Sequence, residues 1–574
     1  MRDAAPGRAT AALVAAAAFF VYALGACRTI YVGDSGELVT AVYTLGIPHP
    51  SGYPLYVMLG KLWTLLVPLG SIAYRMSLFS AACGAAACGV LTLVAFETGA
   101  GAAASVLGGF LLAFAPSFWA EANVQRVYTL NALFVALATL FAVRWWNRRT
   151  TRLLALAFFF CGLGATNHTF MGVYAAALAL FAALTDRRAR SPRVALACLA
   201  ALVIGLLPYA YLPIRSSMHP VLDWGSPRTL RAFVDVVTRR GFWGRRFYEG
   251  AADFLPIGAD FFRGFGEELA WGGALLAFAG LWVFRPRRGP ALLAPLVILT
   301  NLVAMALHGS RSDIFIWHRY DIPAYVMGAW LAALGAHALF VRAPRWAVPA
   351  AFLLPAALLA GGWREHDRHL YRIGEEYSRG VLADVPPGAH LAASDDNILF
   401  VLMYLHHVDG LRPDVDLILQ GVGGEIPSLH FDPDRDPLFF TDHPNWRVPG
   451  LQTVASGLAF RIVRAGPPPP MPPIRSLWLP GEKDPRVPKD YLTQNLIGHF
   501  HYMLGVTLER RSWAEARRQY DLAMAASPRN DVLFYNLGII YRGNGFEAES
   551  LAYFRRAQEI DPRMTPISRR HGTS

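Results

Sequence analysis

The chain reads as a polytopic α-helical membrane protein of about eleven spans, with an α/β domain and a C-terminal α-helical repeat segment outside the lipid. Three observations carry that reading. The 574 residues are 54% hydrophobic and 16% charged, with mean hydropathy +0.32, which excludes one water-soluble domain of ordinary composition. Apolar runs long enough to cross about 30 Å of hydrocarbon recur up to Gly362. After Trp363 the pattern turns to short strand and helix signals, and then to a period of 33 or 34 residues.

The expected spans lie near 9–27, 76–96, 102–118, 127–143, 153–167, 169–185, 194–213, 267–284, 290–308, 322–342 and 346–362. The run 53–70 is also apolar, but it carries Lys61 between Pro54 and Pro68 and reads as an interfacial helix. Charge decides the topology. With Arg2 and Arg8 inside, Arg144/Arg148/Arg149/Arg152, Arg187/Arg188/Arg190/Arg193, Arg285/Arg287/Arg288 and Arg342/Arg345 all become cytoplasmic. Residues 153–185 must then form a hairpin of two short spans, and everything after Trp363 lies outside. The net charge of +12 is read as orientation in a bacterial-type inner membrane rather than as nucleic-acid binding. Leu24-Gly25-Ala26-Cys27 loosely resembles a lipoprotein cleavage box; on either reading the next segment emerges outside. All five cysteines fall in apolar runs, so neither a disulfide framework nor a thiolate metal site is written in the chain.

This topology gathers polar residues on the outer side. They are Asp34 and Glu37 in Gly33-Asp34-Ser35-Gly36-Glu37, the stretch Glu121 to Arg126, Asn167-His168, Arg215 with Asp223-Trp224-Gly225, and His318-Arg319-Tyr320-Asp321. A carboxylate at the mouth of a span is costly unless solvated or paired, which makes Asp34 and Glu37 functional candidates. Asp-x-x-Glu is also a capping box, so Asp34 reads equally as the N-cap of the next helix. Glycosyl transfer from a lipid phosphate suits such a set. A carboxylate takes the proton of the attacking hydroxyl while cations neutralise the departing phosphate. Arg126, Arg215 and Arg319 supply cations, though each alone also reads as a snorkelling or topology residue. A transporter would place ionisable groups near the midplane and show repeated halves, and a non-catalytic scaffold would leave the first-loop carboxylates unexplained.

Gly33-Asp34-Ser35-Gly36-Glu37-Leu38, Tyr43-Thr44-Leu45-Gly46 and His49-Pro50-Ser51-Gly52-Tyr53-Pro54-Leu55-Tyr56 resemble the first outer loop of a family of membrane O-mannosyltransferases whose animal members glycosylate plexin-type receptors. The similarity continues through Phe118-Trp119, Val127-Tyr128-Thr129-Leu130-Asn131, Gly162-Leu163, Tyr211-Leu212-Pro213-Ile214-Arg215-Ser216 and Asp223-Trp224-Gly225. It extends to Ser394-Asp395-Asp396-Asn397 and the run Val408 to Val415, and so covers most of 29–465. The resemblance implies the C-type membrane glycosyltransferase fold, inversion at the sugar carbon, and a dolichol- or polyprenyl-phosphate sugar as donor, with no metal or other cofactor named. It implies Asp34 as the general base, and brings His49 and Tyr53 in beside Glu121, Asn167, His168, Asp223 and Trp224 as substrate-binding candidates. In the family pattern an acidic residue precedes Val-Tyr-Thr-Leu; this chain has Arg126 there and Glu121 five residues earlier, which leaves the role of the second loop open.

The outer part is expected to divide into an α/β domain at 363–480, a linker and capping helix at 481–498 and repeats at 499–574. Strands at His390–Ser394 and Asp416–Gln420 flank a helix at Ile398–His407 in a βαβ pattern. Asp395, Asp396 and Asn397 then sit at a strand's carboxyl end, where they either bind a ligand or cap the helix. Past the linker Pro467 to Pro473, Leu504-Gly505, Trp513, Ala516, Tyr520, Ala523 and Pro528 recur as Leu537-Gly538, Phe546, Ser550, Phe554, Ala557 and Pro562. The spacing resembles tetratricopeptide repeats, two of them, completed by a helix at Tyr491–Gly498 and open to a protein partner. The acceptor is expected to be Ser/Thr of exported proteins, with a cell-envelope glycan or lipid as the alternative.

Overall fold

The computed structural model describes residues 4–244, 250–284, 289–308, 317–419, 431–444 and 448–564. Arg2, Arg285, Arg287, Arg288 and Gln420 lie outside the described residues. By its contacts the chain divides into two compact units, 1–29 with 38–370, and 30–37 with 371–574.

The first unit is helical and apolar, and the protein is a multi-pass membrane protein. Among the described residues seven helices are long and apolar enough to cross: Pro6–Gly25, Ile72–Glu97, Tyr128–Arg148, Pro192–Ser216, Pro290–Leu307, His318–Arg342 and Ala347–His366. Shorter apolar helices cover Pro54–Leu66, Thr151–Ala165, Phe170–Thr185 and Gly272–Val283. The segment expected as one span at 102–118 is instead Ala102–Ala113 and Pro116–Ala122, bent by 68°. Pro116 accounts for the break: its ring disfavours helical geometry at Ala115 and it has no N–H to continue the ladder. The segment expected from 267 starts at Gly272, because Ala270 and Trp271 adopt positive φ (55° and 49°) and end the preceding helix.

With no hydrophobic drive between helices in lipid, close backbone approach through small residues holds them together. Gly280 and Gly335 do this between Gly272–Phe284 and Ile322–Arg342. A Cβ on either would collide with the backbone carbonyl of Leu331 or of Leu276 respectively.

The unit has two distinct ends. Arg144 pairs with Glu97 (2.7 Å) and Arg149 with Asp186 (3.4 Å), which ties the cluster at 144–152 to the one at 187–193. Trp330 Nε1 donates to Thr98 Oγ1 (3.1 Å) and Gly101 N to His337 Nδ1 (3.2 Å), so the end of helix Ile322–Arg342 joins them. These arginines therefore collect at one end. Tyr128 starts the same 21-residue helix that Arg148 finishes, about 30 Å away at 1.5 Å per residue.

Among its described residues the second unit contains one five-stranded sheet: β1 (His390–Ala393), β2 (Asp416–Leu419), β3 (Leu438–Phe440), β4 (Leu451–Ser456) and β5 (Ala459–Arg464), in the order β2-β1-β3-β5-β4. β1 runs parallel to β2 and β3, with His390 opposite Asp416 and Leu438, while β5 is antiparallel to both β3 and β4. Helix Asp396–His407 makes the β1–β2 crossover, two residues earlier in its start than the sequence pattern suggests. The described C-terminal residues form four helices, Tyr491–Leu508, Trp513–Ala526, Asp531–Gly543 and Glu547–Ile560. The first runs ten residues past the expected Gly498. Gly505 lies against the Tyr520 ring and Gly538 against the Phe554 ring, so the repeated sequence positions make the same packing twice.

Candidate active site

In the first unit the site starts from the bent helix. Glu268 accepts from Ser117 N with both oxygens (3.0 Å each), satisfying an orphan donor in the first turn of Pro116–Ala122 and fixing the short helix that carries Glu121. Four residues on, Arg126 N donates to Ser80 Oγ (3.2 Å) just before helix Tyr128–Arg148. Arg319 arrives from the turn Trp317–Asp321. Glu121 lies between the two guanidiniums, 3.9 Å from Arg126 Nε and 3.7 Å from Arg319 Nε, with all three side chains at most 10% exposed. Those are ion-pair separations, longer than hydrogen bonds. The nearby Asp321 is occupied elsewhere, accepting from Asn301 Nδ2 at 2.9 Å.

From this triad a row of rings leads away. Arg319 lies 5.7 Å from the centre of the Tyr128 ring, which meets Tyr320 edge-on (5.6 Å) and His168 (5.8 Å). His168 faces Tyr53 (6.3 Å), whose hydroxyl is 2.8 Å from His49 Nε2, and His49 faces Trp224 (6.1 Å). The backbone sets the far end: Trp224 N donates to Ile47 O (3.1 Å), and Ile47 N to Leu222 O (2.7 Å). Burial, reinforced by Arg239 and His49, pulls the His168 imidazole down to about 3 and leaves it neutral. Asn167 Nδ2 donates to Val127 O (3.2 Å), while Oδ1 is buried and accepts no hydrogen bond among the described residues.

Glu121, Arg126, Arg319, Asn167, His168, Tyr53, His49 and Trp224 thus form one continuous set at the end opposite the arginine clusters. Arg215 is differently placed. Its Nε donates to Leu45 O (2.8 Å) and its Nη2 to Thr44 O (3.3 Å), so it holds the carbonyls that end helix Ser35–Thr44. Asp223 accepts from Ser216 Oγ (2.9 Å) and pairs with Arg228 (3.1 Å), fastening the turn that presents Trp224. Tyr128 and Tyr320 join the site beyond the sequence candidates, although Tyr128 stands in the Val127–Asn131 motif that carries the family resemblance and Tyr320 directly follows Arg319.

Asp34 and Glu37 belong to the second unit. Asp34 immediately precedes helix Ser35–Thr44 and is half-buried; Glu37, in its first turn, is fully buried. Of the two, Asp34 keeps partial exposure. In the same unit Asp395 Oδ1 accepts from Asn397 N (2.8 Å), the helix-cap reading of that motif.

Comparison with known proteins gives the same direction. Residues 34–191 match the family model described as Protein O-mannosyl-transferase TMEM260 N-terminal domain. The chain is 27% identical over 456 residues to the mouse Protein O-mannosyl-transferase TMEM260, covering 72% of this chain and 64% of that protein. A Dictyostelium discoideum protein of the same name is 25% identical over 258 residues, covering 41% and 31%. The chain thus spans less than two thirds of these relatives. Among solved structures, ArnT from Cupriavidus metallidurans, bound to undecaprenyl phosphate, superposes with TM-score 0.52 at 14% identity over 80% of this chain and 99% of that one. Its apo form gives 0.53. The fold is shared with ArnT.

Proposed function

We propose that this relative of the membrane protein O-mannosyltransferases is an inverting glycosyltransferase that moves a sugar, mannose, from a polyprenyl-phosphate carrier to the hydroxyl of Ser or Thr on exported proteins. The observation that carries the reading is Glu121 held between Arg126 and Arg319 at the head of a row of amphipathic rings. A guanidinium fork matches phosphate oxygens bidentately, and two of them offset the charge that grows on the leaving phosphate as the sugar bond breaks. Rings with polar tips, such as Tyr53, Tyr128 and Trp224, suit a sugar with apolar faces and a hydroxylated rim.

Asp34 takes the base role from its family position and its partial exposure, against the full burial of Glu37. It receives the proton of the acceptor hydroxyl as that oxygen attacks the anomeric carbon from the face opposite the phosphate; the carbon–oxygen bond to the carrier breaks with its electrons left on the phosphate. Arg215 is assigned to the phosphate group as well in its sequence motif, but its bonds to Thr44 and Leu45 support a role in shaping the first loop. Glu37 supports that loop from within.

The reading includes the topology: about eleven crossings of a bacterial-type inner membrane, N-terminus in the cytoplasm, site and second unit on the far side. It includes the division at 480 and 498 and a partner-binding role for the repeats. The direct test is purified protein in bilayers, given labelled polyprenyl-phosphate sugars with Ser/Thr peptides, envelope glycans and lipids. Transfer to peptide from the mannose donor is expected. Label moving only to a glycan or lipid would change the acceptor, and label staying on every carrier would end the proposal.

A further inference from the structure

The segment 30–37, which carries Asp34, clusters with residues 371–574 rather than with the spans on either side of it in sequence. Its attachments are specific. The Tyr31 ring lies on the Tyr371 ring with centroids 4.4 Å apart at 45°. The Thr493 hydroxyl sits between the two phenols, 3.4 Å from Tyr31 Oη and donating to Tyr371 Oη at 3.3 Å. All three residues are at most 2% exposed. Thr493 is itself set by the cap of its helix, since its N–H donates to Asp490 Oδ1 (3.0 Å). On the other side of Asp34, Gly36 lies so close to helix Asp396–His407 that a Cβ would collide with the backbone carbonyl of Phe400. A backbone carbonyl inside a helix cannot swing away as a side chain can. Asp34 therefore stands between two fixed points, Tyr31 three residues before it and Gly36 two residues after it.

We propose that Tyr31, Gly36, Tyr371 and Thr493 are positioning residues for the reaction, and that the second unit acts as the frame that aims the general base rather than as an appended module. The inference rests on Asp34 being that base. Its physical basis is the steep dependence of proton transfer on placement: a misplacement of about 1 Å can cost about a hundredfold in rate. Helix Tyr491–Leu508, which begins the C-terminal helical segment, supplies Thr493, so the repeats are mechanically connected to the base through their own first helix.

The test uses the full chain in lipid nanodiscs with polyprenyl-phosphate mannose and a Ser/Thr peptide, reading kcat, donor KM and the pH profile of kcat/KM. Gly36→Ala should lower kcat about ten- to a hundredfold with donor KM within about twofold, and should move the acid limb of the profile, which reports the base. Thr493→Val keeps shape and removes only the hydroxyl; it should lower kcat about fivefold, the scale of one lost hydrogen bond, and move the same limb. Tyr371→Phe should match Thr493→Val. If Gly36→Ala does not insert, Thr493→Val and Tyr371→Phe decide alone. Wild-type kcat and an unmoved limb in these two would overturn the proposal, as would a loss of rate that follows only the folded fraction. Asp34→Asn in the same assay separates the two levels: if it is active, the base assignment fails; if it is inactive while the other variants behave as wild type, only the positioning fails.

Discussion

Arg126 and Arg319 come from places 193 residues apart in sequence and meet on one carboxylate, which no local pattern foretells. Arg319→Ala is expected to raise donor KM about tenfold or more, the scale of a lost charge-assisted hydrogen bond, and Arg319→Lys to recover only part because a point charge lacks the fork. An unchanged donor KM in the Ala variant would remove Arg319 from the phosphate. Arg215→Ala should act differently. Losing its grip on Thr44 and Leu45 loosens the turn before His49, so heat stability of the inserted protein should fall by about 1.5–3 kcal/mol while donor KM changes less than in Arg319→Ala. At this scale the sequence announced the site's charged and ring-bearing motifs. It hid the choice among neighbours, because hydropathy treats Tyr128 and Tyr320 as ordinary apolar residues, and a lone Arg215 after a span looks the same whether it faces a ligand or a carbonyl.

Element boundaries followed the local chemistry that the chain shows openly. Pro116 breaks a span and the Ser-Asp-Asp-Asn stretch starts a helix with Asp395 as its cap. The antiparallel strands β4 and β5 are not legible in the sequence, because six-residue strands joined through Gly457 (φ 67°) carry little periodic signal. Their sheet leads to a pH prediction. At the carboxyl ends of β1 and β3, Asp442 accepts from Ser394 Oγ (2.7 Å) and pairs with His499 (3.4 Å), whose Nδ1 is 2.7 Å from Tyr377 Oη. Burial pushes the Asp442 carboxyl up, but His499, Ser394 and Thr441 outweigh it and hold it below the usual carboxylate range. Burial pulls the His499 imidazole down, and the hydrogen bond and charge of Asp442, with the charge of Asp395, more than restore it, leaving it raised. The raised imidazole stabilises the fold below the ordinary histidine pKa and loses that contribution as pH rises through its folded value. The lowered carboxyl stabilises it above the ordinary aspartate pKa and loses that contribution as pH falls through its own. Amide exchange in helix Tyr491–Leu508 should be slowest relative to intrinsic rates between about pH 4 and 6.5 and should quicken above it, and His499→Gln should flatten the dependence. A profile unaltered by that substitution would count against the pair.

Among its described residues the first unit sorts its charge by end: arginines at 144–152 and 187–193 are joined through Asp186, and Glu121, Arg126 and Arg319 lie at the opposite ends of helices shared with those clusters. That sorting was legible from the counts of basic residues between apolar runs, whereas the capture of 30–37 by a unit that begins more than 330 residues later was not, since it depends on tertiary contacts of Tyr31 and Gly36. Reporter fusions after Arg149 and Arg190 should read cytoplasmic, and those after Gly250 and Ser574 external. An external signal after Arg190 would overturn the orientation and, with it, the outward-facing site. Whether Asp34 serves as the base of a glycosyl transfer is decided by comparing wild type with Asp34→Asn, both purified in bilayers with polyprenyl-phosphate mannose and a hydroxyl acceptor. Asparagine caps a helix as well as aspartate does, so insertion and thermal stability should be kept while transfer falls by about two to four orders of magnitude. A well-inserted Asp34→Asn protein that transfers sugar at the wild-type rate would reduce Asp34 to a helix cap and contradict the mechanism.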